Sequence, residues 1–500
     1  MNITEAIWQN CKANPVKEAI VSDGRIVTYK NLYELSLAVT NKLLVFGVKK
    51  GDVVANRLEN PIAFIASVLA IARIGAIGMP FNNKWSDEET VELLQKNSAK
   101  FLINPLNIQA YENKKLLSLK NIHAEELFLN SYTQDDLNVP NFIDEMDDKP
   151  WWIGLTSGTT GAPKSIYKTH AKMLLSCAVY PELHNADYER VFVSLDLKIS
   201  FGLGTVIRTL LSSKTVVATQ NPMADNFFAI MQRDKPTNVT TSVAIIALIV
   251  KYAKTNLVDK ELLSSLKRVT IGGAKVSQNI RADIQHYLCD QLEVRYSSTE
   301  SGPIAVATNE TYKLYPTSSG KIVPWVKYQI VDENHELLNL EQTGMLRFQT
   351  PIMTDKYIND KTASQKHFKD GWFYTGDIGT IDQKGFLYIS GRADHLINIG
   401  GVKTHPEAIE IILSSHEDVI ESAVLQLEHP IDKSMVLVAV IVAEKIVDEK
   451  ELRVLCNIKL NAMLVPQFFV MLNELPKNPS GKLMRNQLAK MLQINNFEKK

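Results

Sequence analysis

The chain has 500 residues, 45% hydrophobic and 22% charged, enough to bury several cores in more than one domain. Its 55 Lys and Arg cancel its 55 Asp and Glu, which excludes a general electrostatic pull toward nucleic acid or an anionic membrane and leaves anion binding to local groups. Cys11, Cys177, Cys289 and Cys456 stand far apart with no Cys-x-x-Cys spacing, which argues against a zinc site or a disulfide framework and for a reducing, cytoplasmic setting.

The N-terminus carries Glu5 and lacks a basic region followed by an apolar run, so no signal peptide is expected. Leu32, Leu35, Val39 and Leu43 then recur at helical spacing behind Thr28, a capping residue, and Gly47 closes the helix. Val53-Val54-Ala55 reads as a short strand. The apolar run from Ile62 to Phe81 is interrupted by Arg73, Gly75, Gly78 and Pro80, which favours a buried helix leading into a strand over a membrane span. Strand signals return at Arg190–Ser194, Thr215–Ala218 and Arg268–Ile271, with apolar helical stretches such as Ala244 to Val250 between them. Strands alternating with helices predict an α/β fold of parallel-rich sheets covered by helices. From Ser319 to Ile389 the pattern changes to short strands and turns, at Tyr328–Val331, Gly344–Phe348 and Gly385–Ile389, which predicts a smaller β-rich subdomain. Beyond it, Val424–Leu427 and Val436–Val442 carry enough apolar residues for a further small domain.

Between these elements lies Leu155-Thr-Ser-Gly-Thr-Thr-Gly-Ala-Pro-Lys164. Its glycines let backbone approach a ligand, its hydroxyls donate hydrogen bonds, and Lys164 adds a mobile charge, a composition suited to the phosphates of a nucleotide. It is not a Walker A loop, because Ala162-Pro163 follows Gly161 and proline blocks the required helix start. A polar Gly/Ser/Thr turn alone is as often a plain loop.

Later segments resolve that ambiguity: Tyr296-Ser-Ser-Thr-Glu300, Tyr374-Thr-Gly-Asp377, Gly391-Arg-Ala-Asp394 running on to Gly400-Gly401 and Pro406, and Pro476-Lys-Asn-Pro-Ser-Gly-Lys482. In this order, with the loop before them, they resemble the adenylate-forming superfamily of acyl- and aryl-CoA synthetases, nonribosomal peptide adenylation domains and luciferases. Val27–Leu32 and Gly75–Pro80 resemble it more diffusely. The resemblance implies a large N-terminal domain over residues 1–393 and a small mobile α+β domain over 394–500, hinged at Asp394. It also implies that ATP activates a carboxylic acid to an acyl adenylate, which is then passed to a thiol.

Each motif then takes an implied role. Thr156, Ser157, Gly158, Thr159, Thr160, Gly161 and Lys164 would hold the phosphates. Glu300 would hold Mg²⁺, a hard cation suited to carboxylate and phosphate oxygens, and Thr299 would touch the α-phosphate. Asp377 suits the ribose hydroxyls, with Arg392 nearby, and Tyr296 beside Gly272-Gly273-Ala274 resembles the adenine slot. Lys482 is the candidate catalytic cation, and Gly400 and Gly401 would line the path of the thiol. That thiol is either coenzyme A or the phosphopantetheine of an acyl carrier protein. No nucleic acid and no membrane insertion are implied.

For the acid, the candidate pocket residues are Ser200, Phe201, Gly204, Ala244, Ser301 and Gly302. In amino-acid-activating relatives an aspartate pairs with the substrate ammonium where an ungapped comparison places Ser200. A serine cannot neutralise that charge, so an ordinary α-amino acid is disfavoured. Ser200-Phe-Gly-Leu-Gly204 instead resembles benzoate-type CoA ligases, which implies an aromatic or medium-length acyl acid. Asp196 could serve an amine elsewhere on a substrate, or be only a polar strand end. Ser165, Ser297, Ala244 and His395 depart from the family pattern and bear on the acid and thiol more than on ATP. The alternatives to a CoA ligase are a stand-alone enzyme loading a carrier protein, and a relative that binds nucleotide without turnover. Intact Glu300, Asp377, Arg392 and Lys482 argue against the last.

Overall fold

Apolar strands punctuated by glycine turns, alternating with capped helices, build the chain in the computed structural model. It describes residues 2–81, 85, 87–105, 119–128, 148–156, 163–180, 188–222, 224–399, 402–429, 431, 433–443, 445, 447–477 and 482–495. Two compact units emerge: Met1–Thr270 with Thr299–Gly302 and Thr350–Gly371, and Ile271–Ser298 with Pro303–Gln349 and Trp372–Lys500.

In the first unit, Lys120–His123, Ala99–Asn104, Val53–Asn56, Ile77–Pro80 and Pro150–Thr156 lie side by side in that order, all parallel. Lys164–Thr169 closes the sheet as an antiparallel neighbour of Pro150–Thr156. Elsewhere in the unit Glu18–Ser22, Thr215–Ala218, Arg190–Val193 and Asn238–Ser242 form a second parallel run. Parallel strands need crossovers, and the helices supply them.

Thr28 caps the helix Tyr29–Val45, its hydroxyl accepting from the Asn31 N–H at 3.1 Å, and Gly47 leaves with φ +90°. The apolar run begun at Ile62 folds as the helix Pro61–Ile74, capped by Asn60 and ended by Gly75 in the left-handed conformation. It is buried along nearly its whole length because it packs against strands of both sheets. No described helix is long and apolar enough to cross a membrane. Gly78 must be glycine, since a Cβ there would stand 2.4 Å from the Trp152 ring.

In the second unit, Lys327–Val331, Gly344–Gln349, Trp372–Ile381 and Phe386–Arg392 pair antiparallel around Ile330, Leu346, Phe348, Ile381 and Leu387, the β-rich part expected from the turn spacing. Further on, Val419–Glu428, Met435–Ala443 and Phe468–Met471 form a three-stranded sheet. The unbroken apolar run within Met435–Ala443 reflects burial of both faces. Leu437, Ala439 and Ile441 meet Ile409 and Leu413 of helix Pro406–Leu413 and Leu452 and Cys456 of helix Glu449–Lys459. Val436, Val438, Val440 and Val442 meet Leu488 and Leu492 of helix Arg485–Asn495.

Candidate active site

In the first unit, the antiparallel register pairs Thr156 with Lys164 and so fixes both stems of the expected phosphate loop. Ser157, Gly158, Thr159, Thr160 and Gly161 lie outside the described residues, as do Gly400 and Gly401. The Lys164 ammonium stands 4.9 Å above the centre of the Tyr357 ring and 3.5 Å from His367 Nε2. From the same ring the Tyr357 hydroxyl donates to Glu300 Oε1 at 2.8 Å, while the Thr354 N–H holds the Glu300 carbonyl at 2.8 Å. The lysine assigned to phosphate and the carboxylate assigned to metal are thus oriented by one aromatic residue. Tyr357 carries no signal in the sequence, because a lone tyrosine in a polar stretch reads as surface.

Thr299 and Ser200 are also brought together. A Cβ on Gly154 would meet Ser200 Oγ at 2.9 Å and Thr299 Cγ2 at 3.3 Å, so glycine on this strand admits both. Behind Thr299, Lys168 donates to its carbonyl at 2.5 Å. Burial pushes the Lys168 ammonium down to about 8, helped by repulsion from Arg208 and Lys172 and opposed by Glu300. Lys168 too went unnoticed in the sequence, where strand alternation places it without revealing its partner. Ser301 is buried, its carbonyl accepting from the Thr350 hydroxyl at 2.6 Å. Gly302 adopts φ +73° with no room for a Cβ beside Ile352. Phe201 and Gly204 lie on helix Ser200–Leu211; Ala244 sits half-buried in the first turn of helix Val243–Thr255, which none of these contacts joins to the cluster.

The second unit holds the residues assigned to the nucleoside. Gly273 turns with φ +93° at the end of strand Arg268–Gly272, followed by exposed Ala274. The Tyr296 hydroxyl donates to Asp377 Oδ2, and burial followed by the neighbouring carboxylate raises this phenol well above its ordinary range. Strand register sets Asp377 opposite Arg392, whose Nη1 reaches Asp377 Oδ1 at 3.2 Å and the Thr375 carbonyl at 2.7 Å. Arg392 Nε reaches Asp394 Oδ1 at 3.1 Å, so one guanidinium joins the ribose candidate to the hinge candidate. Burial opposes its charge, yet the two carboxylates hold its pKa above the usual value. A carboxylate has about four lone-pair directions, so Asp377 keeps capacity for sugar hydroxyls. Lys482 is half-buried just before helix Arg485–Asn495, next to a β-bridge joining Lys477 to Leu483.

Residues 7–358 match the AMP-binding enzyme family and residues 408–482 the AMP-binding enzyme C-terminal domain, so the chain belongs to the AMP-binding enzyme family. Among its relatives is 2-succinylbenzoate–CoA ligase of Bacillus subtilis strain 168, 26% identical with 96% of each chain covered. The o-succinylbenzoate CoA synthetase of Bacillus subtilis, solved with its acyl-adenylate intermediate, superimposes with a TM-score of 0.84 at 25% identity, covering 97% of both chains. The same synthetase solved with ATP and magnesium gives a TM-score of 0.85 at 25% identity, covering 97% of this chain and 98% of that one. The chain is accordingly an AMP-forming acid–thiol ligase: it activates a carboxylic acid with ATP and transfers the acyl group to a thiol.

Proposed function

We propose that the acid is aromatic, that the thiol is coenzyme A, and that the enzyme works in the cytoplasm. The observation that carries the adenylating role is the Lys164–Tyr357–Glu300 arrangement, a phosphate-type lysine and an oriented carboxylate on one ring. Glycines and a serine at Gly154, Ser200 and Gly204 support an aryl pocket, and coenzyme A is preferred to a carrier protein because the relatives are CoA enzymes.

The reacting carboxylate is ionised near neutral pH, so adenylation needs charge neutralisation and positioning rather than a base. Thr156 and Lys164 hold phosphate oxygens, and Thr299 contacts the α-phosphate. Asp377 and Arg392 hold the ribose, Tyr296 with Gly272, Gly273 and Ala274 frames the adenine, and Lys482 neutralises charge as the carboxylate attacks. Glu300 fits Mg²⁺: Oε1 is fixed by Tyr357, and no described group of three acidic, His or Cys side chains forms a closed metal cage. That suits an ion held by one carboxylate together with substrate phosphates. When bound, the ion offsets phosphate charge. The boundary at Asp394 and a thiol path along Gly400 and Gly401 complete the reading.

ATP–pyrophosphate exchange over aromatic, fatty and amino acids tests it. Exchange is expected with aromatic acids; exchange confined to amino or fatty acids would refute the aryl assignment.

Lys168→Met gives a second test. An ammonium whose folded pKa lies below the ordinary 10.5 is destabilising at all pH below about 8, and that penalty fades as pH rises toward the unfolded value. The variant is expected to melt higher than wild type at pH 7, the gap closing by pH 10, while exchange slows about tenfold through loss of the charged hydrogen bond behind Thr299. Equal melting temperatures across that range would contradict it.

A further inference from the structure

Two rings of the first unit meet at a corner, and the Lys164 ammonium stands in it. The Tyr357 and His367 rings lie 5.9 Å apart with their planes at 89°. Lys164 Nζ is 4.9 Å from the centre of the Tyr357 ring and 3.5 Å from His367 Nε2. The face of a phenol ring is electronegative and attracts a cation. An ammonium has three donors and no acceptor, so its approach to Nε2 is favourable only where that nitrogen offers a lone pair, which assigns the imidazole proton to Nδ1.

The surrounding backbone fixes that corner. Tyr357 is only 4% exposed, and the N–H of the next residue, Ile358, donates to the Ser165 carbonyl at 2.8 Å, tying this segment to the strand that begins at Lys164. The Tyr357 N–H donates to Ser364 Oγ at 3.0 Å, and Ser364 Oγ donates to the Asp360 carbonyl at 2.6 Å. Asp360 caps the helix Lys361–His367, its side chain accepting from the Ala363 N–H at 3.0 Å. His367 ends this helix, so the turn that presents its imidazole is anchored to the backbone of the tyrosine it faces. Phe368 packs T-shaped against the same tyrosine, with ring centres 5.3 Å apart.

We propose that His367 is a positioning residue for the polyphosphate: with Tyr357 it holds the Lys164 ammonium ready for phosphate oxygens. The proposal rests on the phosphate role given to Lys164 above and deepens it. A lysine stem loses rotamer freedom when its ammonium is fixed on a phosphate, and fixing it beforehand between two rings lowers that cost. One ammonium donor goes to Nε2, and the others remain for phosphate oxygens. AMP has no β- or γ-phosphate, so the holder strengthens binding of ATP and leaves that of AMP alone.

Calorimetric titration of the full chain with MgATP and with AMP tests it. His367→Leu is expected to weaken MgATP by about tenfold, as for loss of a hydrogen bond to a charged group, and to leave AMP within about twofold of wild type. Glutamine can place an acceptor where Nε2 stands and asparagine only where Nδ1 stands, so His367→Gln should retain MgATP affinity within about threefold while His367→Asn loses as much as His367→Leu. Those two polar variants carry the comparison should His367→Leu fold poorly. In a Lys164→Met background, His367→Leu should weaken MgATP no further. Equal losses for MgATP and AMP, additive losses in the two backgrounds, or rescue by asparagine as full as by glutamine would overturn the holder. Weaker MgATP binding in Lys164→Met with none in His367→Leu would sink the holder and spare the phosphate role of Lys164. Unchanged MgATP binding in Lys164→Met would sink both.

Discussion

Lys482→Ala is expected to lower pyrophosphate exchange by on the order of 10²–10³-fold, the loss typical when one preorganised donor is removed from developing charge. Backbone contacts that the substitution does not touch flank the lysine: the β-bridge from Lys477 to Leu483 and the Met484 N–H on the Pro476 carbonyl, at 2.8 Å. ATP affinity, read by equilibrium dialysis, should shift little because Thr156, Lys164, Asp377 and Arg392 remain. Thioester formation from supplied acyl adenylate and coenzyme A should persist within a few-fold, as the thiol step has no triphosphate to neutralise. Lys482→Arg should not restore exchange, since a planar fork does not replace a compact ammonium. Near-normal exchange in Lys482→Ala would remove the proposed role, and equal loss of both half-reactions would point to a folding defect.

Much of the scaffold was legible because its signals are local. Thr28 and Gly47 bracket a helix by capping chemistry, and the strand at Thr215–Ala218 appears with the bounds its β-branched run suggests. The buried helix Pro61–Ile74 could be told from a membrane span by Gly75, whose left-handed φ of +77° ends it. The candidate site was legible only as motifs. Glu300, Asp377 and Arg392 stand out by type and spacing, but what orients them comes from distant sequence. Tyr357 reaches Glu300 across 57 positions and Tyr296 reaches Asp377 across 81, separations that no periodicity encodes. Lys168 was hidden for a related reason: on a strand it resembles any solvated base, and only the desolvation that pushes its ammonium down to about 8 marks it.

Arg485→Met should strongly destabilise the second unit. Arg485 Nη1 meets Glu410 Oε1 at 2.7 Å and the Val424 carbonyl at 2.9 Å, while Nη2 meets Glu407 Oε1 at 3.1 Å. Removing one partner from such a set strands two largely buried carboxylates, and breaking a buried pair costs about 3–5 kcal/mol. The pH dependence distinguishes the two acids. Burial raises Glu410 despite Arg485, so its penalty is absent below the usual carboxylate range and grows as pH rises through the folded value. Burial also opposes the charge of Glu407, but His395 and Arg485 outweigh it and lower its pKa, so its contribution is present at neutral pH and lost on acidification. Without the guanidinium both carboxylates shift upward. The melting deficit of Arg485→Met relative to wild type should therefore be largest near pH 8 and shrink toward pH 5, with Glu410→Gln in the same background recovering part of it at pH 8. A deficit independent of pH would show that packing of the arginine stem, not its charge, is what the domain loses. Because Glu407 also holds His395 Nδ1 at 3.0 Å, one residue from the hinge candidate Asp394, the variant should impair thioester formation more than pyrophosphate exchange at temperatures where it remains folded.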